Sequence, residues 1–490
     1  MSHRTVVAVD LGAESGRVVL CRFDGRRIDL CEVHRFPNGP EEVDGHLRWD
    51  VDRLWAEIAD GLGQAGRDAG RVDSVGVATW GIDYGLLDQP VSHRDPRTNG
   101  LIAEAAGRVG RNRLYDDTGT QLLECNTIYQ LLADVAEDRL AGATLLLMVP
   151  DLFHRLLSGN TVAEFTAVTT TGAYDVAGRR WAKGLLEDLG IPTHLLPEVV
   201  DAGTDLGPVR SAAVDHPAYG AARVVLPGSH DTASAVAGVP FADPDAAYVS
   251  SGTWSLVGGE TAAPVVTPAA RAANLTNEGG VFGTNRLLRN VTGLWVLQEC
   301  RRQWQREGVS LGYTEIVARA ADQPRGSHVD IDRPEFLAPG DMPARIRAYC
   351  RRTGQPEPEG VGAVARCVLE SLALRYRTAV TAVGDVTGRP VPLVHVVGGG
   401  ARNTLLNRLT ADVTGLPVLA GPVETTALGN ALVQLVALGE LADLAEAREV
   451  VRAGERVERH DPQAGQGWDE TYEEFLARVA QDEEMAGTSA

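Results

Sequence analysis

Asp10 ends a β-branched run, residues 6–9, and is followed by Gly12, Ala13, Glu14, Ser15, Gly16 and Arg17. A turn of such small residues leaves backbone N–H groups uncovered, and these form an anion-binding concavity. A carboxylate beside such a nest fits a magnesium nucleotide, because Mg²⁺ takes oxygen ligands and bridges to phosphates. An ordinary hairpin with a polar turn fits the same residues. Asp231 follows a short apolar run, residues 224–226, and is flanked by Ser229, His230, Thr232, Ala233 and Ser234. There it is either a helix N-cap or a reachable general base. Two further small-residue turns follow: Ser250, Ser251, Gly252 and Thr253, and then Gly398, Gly399, Gly400, Ala401, Arg402 and Asn403.

These turns need elements to hold them. Residues 6–9 and 18–20 read as a hairpin, and residues 28–36 as a third strand after the Asp24-Gly25 turn. A helix begins at Val51, with apolar residues at helical spacing. Within it, Gly61, Gly63 and Gly66 complete a formal G-x-G-x-x-G. That motif binds dinucleotides only where it follows a strand, so it is rejected here. Residues 72–79 form the next strand, ending in Trp80, Gly81, Ile82, Asp83, Tyr84 and Gly85, at the sheet end where ligands bind. A turn whose aromatic residues cap the core fits them equally. Residues 101–200 are mainly helical. Residues 238–244 read as a linker. Residues 247–256 repeat the opening plan, and residues 391–397 lead as a strand into the Gly398 turn. Helices are expected over 405–413 and 425–438, a charged insertion over 300–360 and a frayed end over the last dozen residues.

Composition removes several classes. A chain of 490 residues exceeds one ordinary core and implies two large domains. No apolar run reaches the roughly 18 residues that span a bilayer, and the N-terminus carries no signal-peptide pattern. The six cysteines are scattered without a C-x-x-C, which fits a reducing cytosol. A formal charge of −20 argues against a nucleic-acid partner. Lys183 is the sole lysine and precedes Gly184, so no Walker A loop exists. His93, Arg94 and Asp95 spell H-R-D without the other protein-kinase signatures, leaving a polar-site border or a solvated loop. The sequons at Asn274 and Asn290 are coincidences in a cytosolic chain.

Taken together, the chain resembles the FGGY carbohydrate kinases of the actin-like ATPase superfamily over nearly its whole length. The turns at residues 10–17, 250–253 and 398–400 carry the superfamily signal. Residues 79–84, 93–95, 126–131, 229–235 and 277–280 match the branch that phosphorylates L-rhamnulose on its 1-hydroxyl with ATP. The resemblance implies an α/β fold of two actin-like ATPase (ribonuclease H-like) domains facing a central cleft. The expected domains are residues 1–240 on the sugar and phosphate side and 241–478 on the nucleotide side, with a flexible tail over 479–490.

By the same resemblance Asp231 is the catalytic base. ATP contacts fall to Gly12, Ala13, Glu14, Ser15, Gly16, Arg17, Gly252, Thr253, Gln298, Gly399, Gly400 and Asn403. Sugar contacts fall to Gly81, Asp83, His230, Asp231, Thr232 and Asn290, and Mg²⁺ to Asp10 and Asp231. Arg17 serves either the phosphates or an ion pair within the hairpin. A cytoplasmic monomer or homodimer without nucleic-acid or membrane partners is expected. Three departures stand out. Glu14 replaces a small residue and is expected to face solvent, Gly85 replaces a larger one beside the sugar segment, and Thr410 and Thr414 stand where some relatives carry a cysteine pair. The rival readings are a kinase for another ketose, such as L-fuculose or D-xylulose, and a non-catalytic nucleotide sensor.

Overall fold

The computed structural model describes residues 4–86 and 90–487, divided into two compact units. One unit comprises Met1–Ala242, Glu260–Leu288 and Glu424–Glu455, and the other Asp243–Gly259, Arg289–Val423 and Arg456–Ala490. The chain first changes unit inside the expected linker. Two later segments then return to the first unit, which a single split near residue 240 does not provide.

The first unit is built on a six-stranded sheet in the order Asp205–Pro208, Arg223–Val225, Ser74–Thr79, Arg4–Leu11, Ser15–Phe23, Ile28–Pro37. The opening strand pairs antiparallel with Ser15–Phe23 and parallel with Ser74–Thr79. Its unbroken apolar run follows from burial on both faces. Alternate side chains point to opposite sides: Val7 and Val9 pack with Leu54, Ile58 and Leu62 of the helix Val51–Ala69. Val6 and Ala8 pack with Ala427, Leu428 and Ala431 of the helix Thr425–Ala437. The first of these helices starts at Asp50, whose side chain accepts from the Arg53 N–H at 2.9 Å. The G-x-G-x-x-G glycines lie inside it, as a helical rather than a phosphate-binding segment.

The second helix explains one returning segment. Gln434 Nε2 donates to the Val7 carbonyl at 3.1 Å and its Oε1 accepts from Ser74 Oγ at 2.6 Å. Asn430 Nδ2 donates to the Gly76 carbonyl at 3.1 Å. Buried amides that satisfy backbone groups of two strands fix this helix on that sheet.

The second unit repeats the plan. Ala247–Ser251 pairs antiparallel with Ser255–Thr261 and parallel with Val394–Val397, followed by Val418–Ala420 and Glu458–His460. The segment expected as an insertion is integral. Ile316, Phe336, Ile346 and Tyr349 share one buried cluster with Val249, Val257 and the long helix Gly360–Thr387. The expected tail is also different. Helix Trp468–Gly487 buries Trp468, Tyr472, Phe475 and Val479 in that cluster, so the chain from residue 479 to 487 continues a helix instead of starting a separate tail. Residues 488–490 lie outside the described residues. No helix among the described residues is long and apolar enough to cross a membrane.

Candidate active site

In the first unit the opening hairpin places Asp10 directly opposite Arg17. The Gly12 N–H donates to the Ser15 carbonyl at 2.9 Å, which closes the turn, and Asn38 Nδ2 donates to the Gly12 carbonyl at 2.8 Å. Ala13, Glu14 and Ser15 are half-buried, and Gly16 is buried in the strand that follows.

Arg17 bonds both Asp10 and Glu424. Of its two expected roles the structure displays the ion pair, which aligns the strand ends flanking the turn. Burial pushes the Asp10 carboxyl up, against the pull of Arg17. Arg17→Ala would leave two carboxylates without this cation. On the scale for breaking a buried pair it should cost about 3 kcal/mol. A lower urea midpoint at an unchanged m value would report that loss.

Asp231 is the first residue of the helix Asp231–Ala237, and His230 occupies the cap position. The N-cap reading therefore fails: its carboxylate accepts from Thr232 Oγ1 at 3.1 Å instead of capping. The side chain keeps 28% exposure, which leaves it reachable. Burial of the carboxyl raises its pKa, and the Asp10 charge adds to the rise. His230 Nε2 lies 3.5 Å from Asp231 Oδ1.

The turn carrying Asp231 is held from beneath by Glu164, which the sequence reading missed. Glu164 is fully buried and accepts from the Ser229 N–H at 3.1 Å, the Thr166 N–H at 2.9 Å and Thr166 Oγ1 at 2.5 Å. Thr166 Oγ1 in turn accepts from the His230 N–H at 3.1 Å. A lone acidic residue between Ala163 and Phe165 was the available signal, since an apolar run tolerates one only when it has partners.

The Trp80 segment reaches the same turn, because the Thr79 N–H donates to the Ser229 carbonyl at 2.9 Å. Gly81 is buried beside Thr170, whose Oγ1 accepts from the Ile82 N–H at 3.0 Å. Ile82 has φ 64°, a backbone region that β-branched residues rarely enter. Such an outlier persists only where its surroundings over-determine it. Thr127 Oγ1 donates to its carbonyl at 2.6 Å.

Asp83 corrects an expectation. It is fully buried, and its carboxylate accepts from Trp49 Nε1 at 2.7 Å, Trp80 Nε1 at 2.9 Å, His93 Nδ1 at 2.8 Å and Gln130 Nε2 at 3.1 Å. Burial pushes this carboxyl up, but His93 and the indole donors outweigh it and hold it below the usual range. Asp83 thus anchors the two indoles and His93 rather than meeting a ligand itself. His93 is thereby part of a built polar network, not a solvated loop.

The second unit gathers its own expected contacts. The Gly252 N–H donates to the Trp254 carbonyl at 2.9 Å, and Gln298 Nε2 lies 3.4 Å from Thr253 Oγ1. Gly400 packs so closely on this turn that an added Cβ would lie 1.9 Å from Ser251 Oγ, whereas one on Gly399 would meet open space. Of these two glycines, Gly399 is the one with open space beside its Cα. Asn403 has a structural role as well, because its Oδ1 accepts from the Leu406 N–H at 3.1 Å and caps the helix Thr404–Thr414. Asn290 is half-buried near the end of the strand Asn285–Val291 and belongs to the second unit.

The described residues hold no group of three or more His, Cys, Asp or Glu side chains that would by itself bind a metal. The Asp10 charge raises the cost of ionising Asp231, and a divalent cation relieves such repulsion. Two carboxylates plus substrate phosphates is the ordinary donor set for Mg²⁺, so these residues fit a cation that arrives with its nucleotide.

Known proteins resemble this chain at the level of family and fold. The N-terminal domain of the FGGY family of carbohydrate kinases matches residues 5–238, and its C-terminal domain matches residues 247–438. The rhamnulokinase of Bacteroides thetaiotaomicron is 40% identical over 478 residues, covering 96% of this chain and 98% of that protein. The rhamnulokinase of Pectobacterium carotovorum is 42% identical over 475 residues, covering 95% and 94%. Among solved structures, gluconate kinase from Lactobacillus acidophilus superposes with a TM-score of 0.78 at 15% identity and full coverage of both chains. Plasmodium falciparum glycerol kinase with ADP gives 0.74 at 15% identity, covering 98% of each chain. These structural likenesses speak to the fold alone.

Proposed function

The chain belongs to the FGGY family of carbohydrate kinases, and from that premise we propose that it transfers the γ-phosphoryl group of ATP to the 1-hydroxyl of L-rhamnulose. The observation that carries the chemistry is Asp231: reachable, at the first turn of a helix, and held by a turn that Glu164 fixes. The choice of sugar rests on the two rhamnulokinases, each about 40% identical over nearly the full length.

Phosphoryl transfer is mainly positioning and charge stabilisation. Asp231 accepts the proton of the sugar hydroxyl as that oxygen forms its bond to γ-phosphorus. The bond to the bridging oxygen breaks, and ADP leaves with the electron pair. The Gly12 turn of the first unit, and the Thr253 turn with Gly399 of the second, supply backbone N–H groups for phosphates. His230, Thr232 and Gly81 in the first unit are sugar contacts on this reading. Asp10 and Asp231 would hold Mg²⁺ with the nucleotide, and the ion would offset phosphate charge.

The enzyme works in the cytoplasm as a monomer or homodimer. Its six free thiols, four of them buried, support the reducing compartment, and sedimentation would decide the oligomeric state.

ADP release with Mg-ATP tests the proposal across L-rhamnulose, L-fuculose, D-xylulose, L-ribulose, glycerol and no sugar. Preference for L-rhamnulose over a low background is expected. Preference for another ketose would keep the chemistry and move the specificity, because a hydroxyl added or removed leaves pocket groups unpaired. No sugar-dependent release would leave a nucleotide sensor.

A further inference from the structure

Asn277, Glu278, Gly279 and Gly280 form a sequence motif to which the reaction above gives no task. The structure puts Glu278 on the strand Thr276–Gly279, paired antiparallel with Asn285–Val291, so that Glu278 stands opposite Arg286. Arg286 is fully buried, which is rare for an arginine and calls for partners. Its Nε donates to the Gly279 carbonyl at 2.9 Å. Its Nη2 lies 3.1 Å from Glu278 Oε2 and 3.2 Å from His230 Nδ1. His230 Nδ1 is also 3.2 Å from Glu278 Oε2, and His230 Nε2 is 3.5 Å from Asp231 Oδ1.

We propose that Arg286 and Glu278 are positioning residues that fix the tautomer of His230, placing its proton on Nε2, the side of Asp231. A guanidinium has donors and no acceptor and stays charged in proteins. At 3.2 Å from its Nη2, the Nδ1 atom of His230 is the acceptor. Nη2 hydrogen-bonds His230, and Glu278 Oε2 stands within ion-pair distance of the same nitrogen without an aligned hydrogen bond. Glu278 neutralises the arginine and so keeps that cation in place beside the imidazole. A ring nitrogen that accepts from Arg286 carries no proton, so the proton of the ring is on Nε2. The partner bound at one imidazole nitrogen sets what the other can do.

The charged groups around this cluster are Asp231 on the helix after His230, Glu278 and Arg286 on the hairpin, and Glu260 on the neighbouring strand. Arg448 pairs with Glu260 at 2.8 Å, and Glu260 also feels the charge of Arg286. At 3.5 Å the Nε2–H is too far from Asp231 to claim its lone pair firmly. It points donor density at the carboxylate while leaving an oxygen for the incoming hydroxyl proton. With the opposite tautomer, Nε2 would turn a lone pair toward Asp231 and repel the carboxylate.

This inference rests on the reading of Asp231 as the base, but its test does not. In ¹⁵N-histidine-labelled protein, His230 is assigned by its loss in His230→Gln. In the wild type, Nδ1 should resonate as an unprotonated and Nε2 as a protonated nitrogen. A protonated Nδ1 would overturn the proposal whether or not the enzyme is active. Arg286→Met should move the proton to Nδ1, now free to donate to Glu278. Its kcat should fall roughly 10-fold or more, short of the loss from removing a base outright, with KM for ATP unchanged. If that buried substitution unfolds the chain, isosteric Glu278→Gln gives the second arm. It removes the counter-charge of Arg286, and the wild-type nitrogen assignments should weaken toward a mixture of tautomers. Unaltered assignments in both variants would likewise overturn it.

Discussion

Asp231→Asn should fold, bind ATP as before and turn over roughly 10²-fold or more slowly, the scale of losing a general base. The amide keeps an oxygen where Thr232 Oγ1 now donates at 3.1 Å, so the local geometry has no reason to move. What disappears is the lone pair that takes the sugar proton. Burial and the nearby Asp10 raise the Asp231 pKa, and two consequences follow with definite signs. The base works only when ionised, so kcat/KM should fall on acidification along a limb above the usual aspartate value of 3.8. That limb should be absent from the residual activity of Asp231→Asn. For stability, a carboxyl raised in the fold stabilises fully below its unfolded pKa, and this contribution is lost as pH rises through the folded value. Above that folded value the wild type has lost it, so Asp231→Asn should melt no lower than the wild type there. A near-normal turnover number would remove Asp231 from the mechanism. A normal rate of ATP hydrolysis without sugar, beside lost transfer, would confirm that the nucleotide side is intact.

What the sequence made legible was local. The opening strand, its turn and the Asp10–Arg17 register follow from a β-branched run, small residues and an even count across the hairpin. The strand-to-helix turn at Asp231 follows from apolar residues giving way to small ones. Functions that depend on long-range approach were not legible. Asp83 looks like a ligand contact because it is polar at a strand end, yet Trp49, His93 and Gln130, distant in sequence, converge on it. Asn403 looks like part of a phosphate turn and also serves as a cap, since the N-cap and anion-binding patterns share residue types. Residues 300–360 look like an insertion because their surface is charged, whereas their few apolar residues complete a core. Glu164 and Arg286 gave single-residue signals whose meaning lies in partners some 60 residues away or across a hairpin.

Gly429→Ala should be the most destabilising single-methyl change near the site, and it touches no ligand. Helix Thr425–Ala437 crosses helix Asp231–Ala237 at this glycine, where an added Cβ would lie 1.7 Å from the Ser234 carbonyl oxygen and 2.7 Å from its carbon. No real Cβ sits so close, and the obstacle is backbone rather than the tip of a flexible side chain. The helices must separate. Helix Thr425–Ala437 is tied to two strands through Gln434 and Asn430, so the shorter helix has to give way. That helix begins with Asp231. Overpacking a close core costs typically 1–3 kcal/mol, and a backbone clash belongs at roughly the upper end of that range or above it. The expected result is a fall of several degrees in Tm together with a larger relative loss in kcat than in ATP affinity, because displacement of the helix moves the base. Gly429→Ala of wild-type stability would mean that the two helices do not approach at this residue. A stability loss with kcat unchanged would mean that Asp231 is held by the Glu164-anchored turn and not by its helix, separating the two supports of the base.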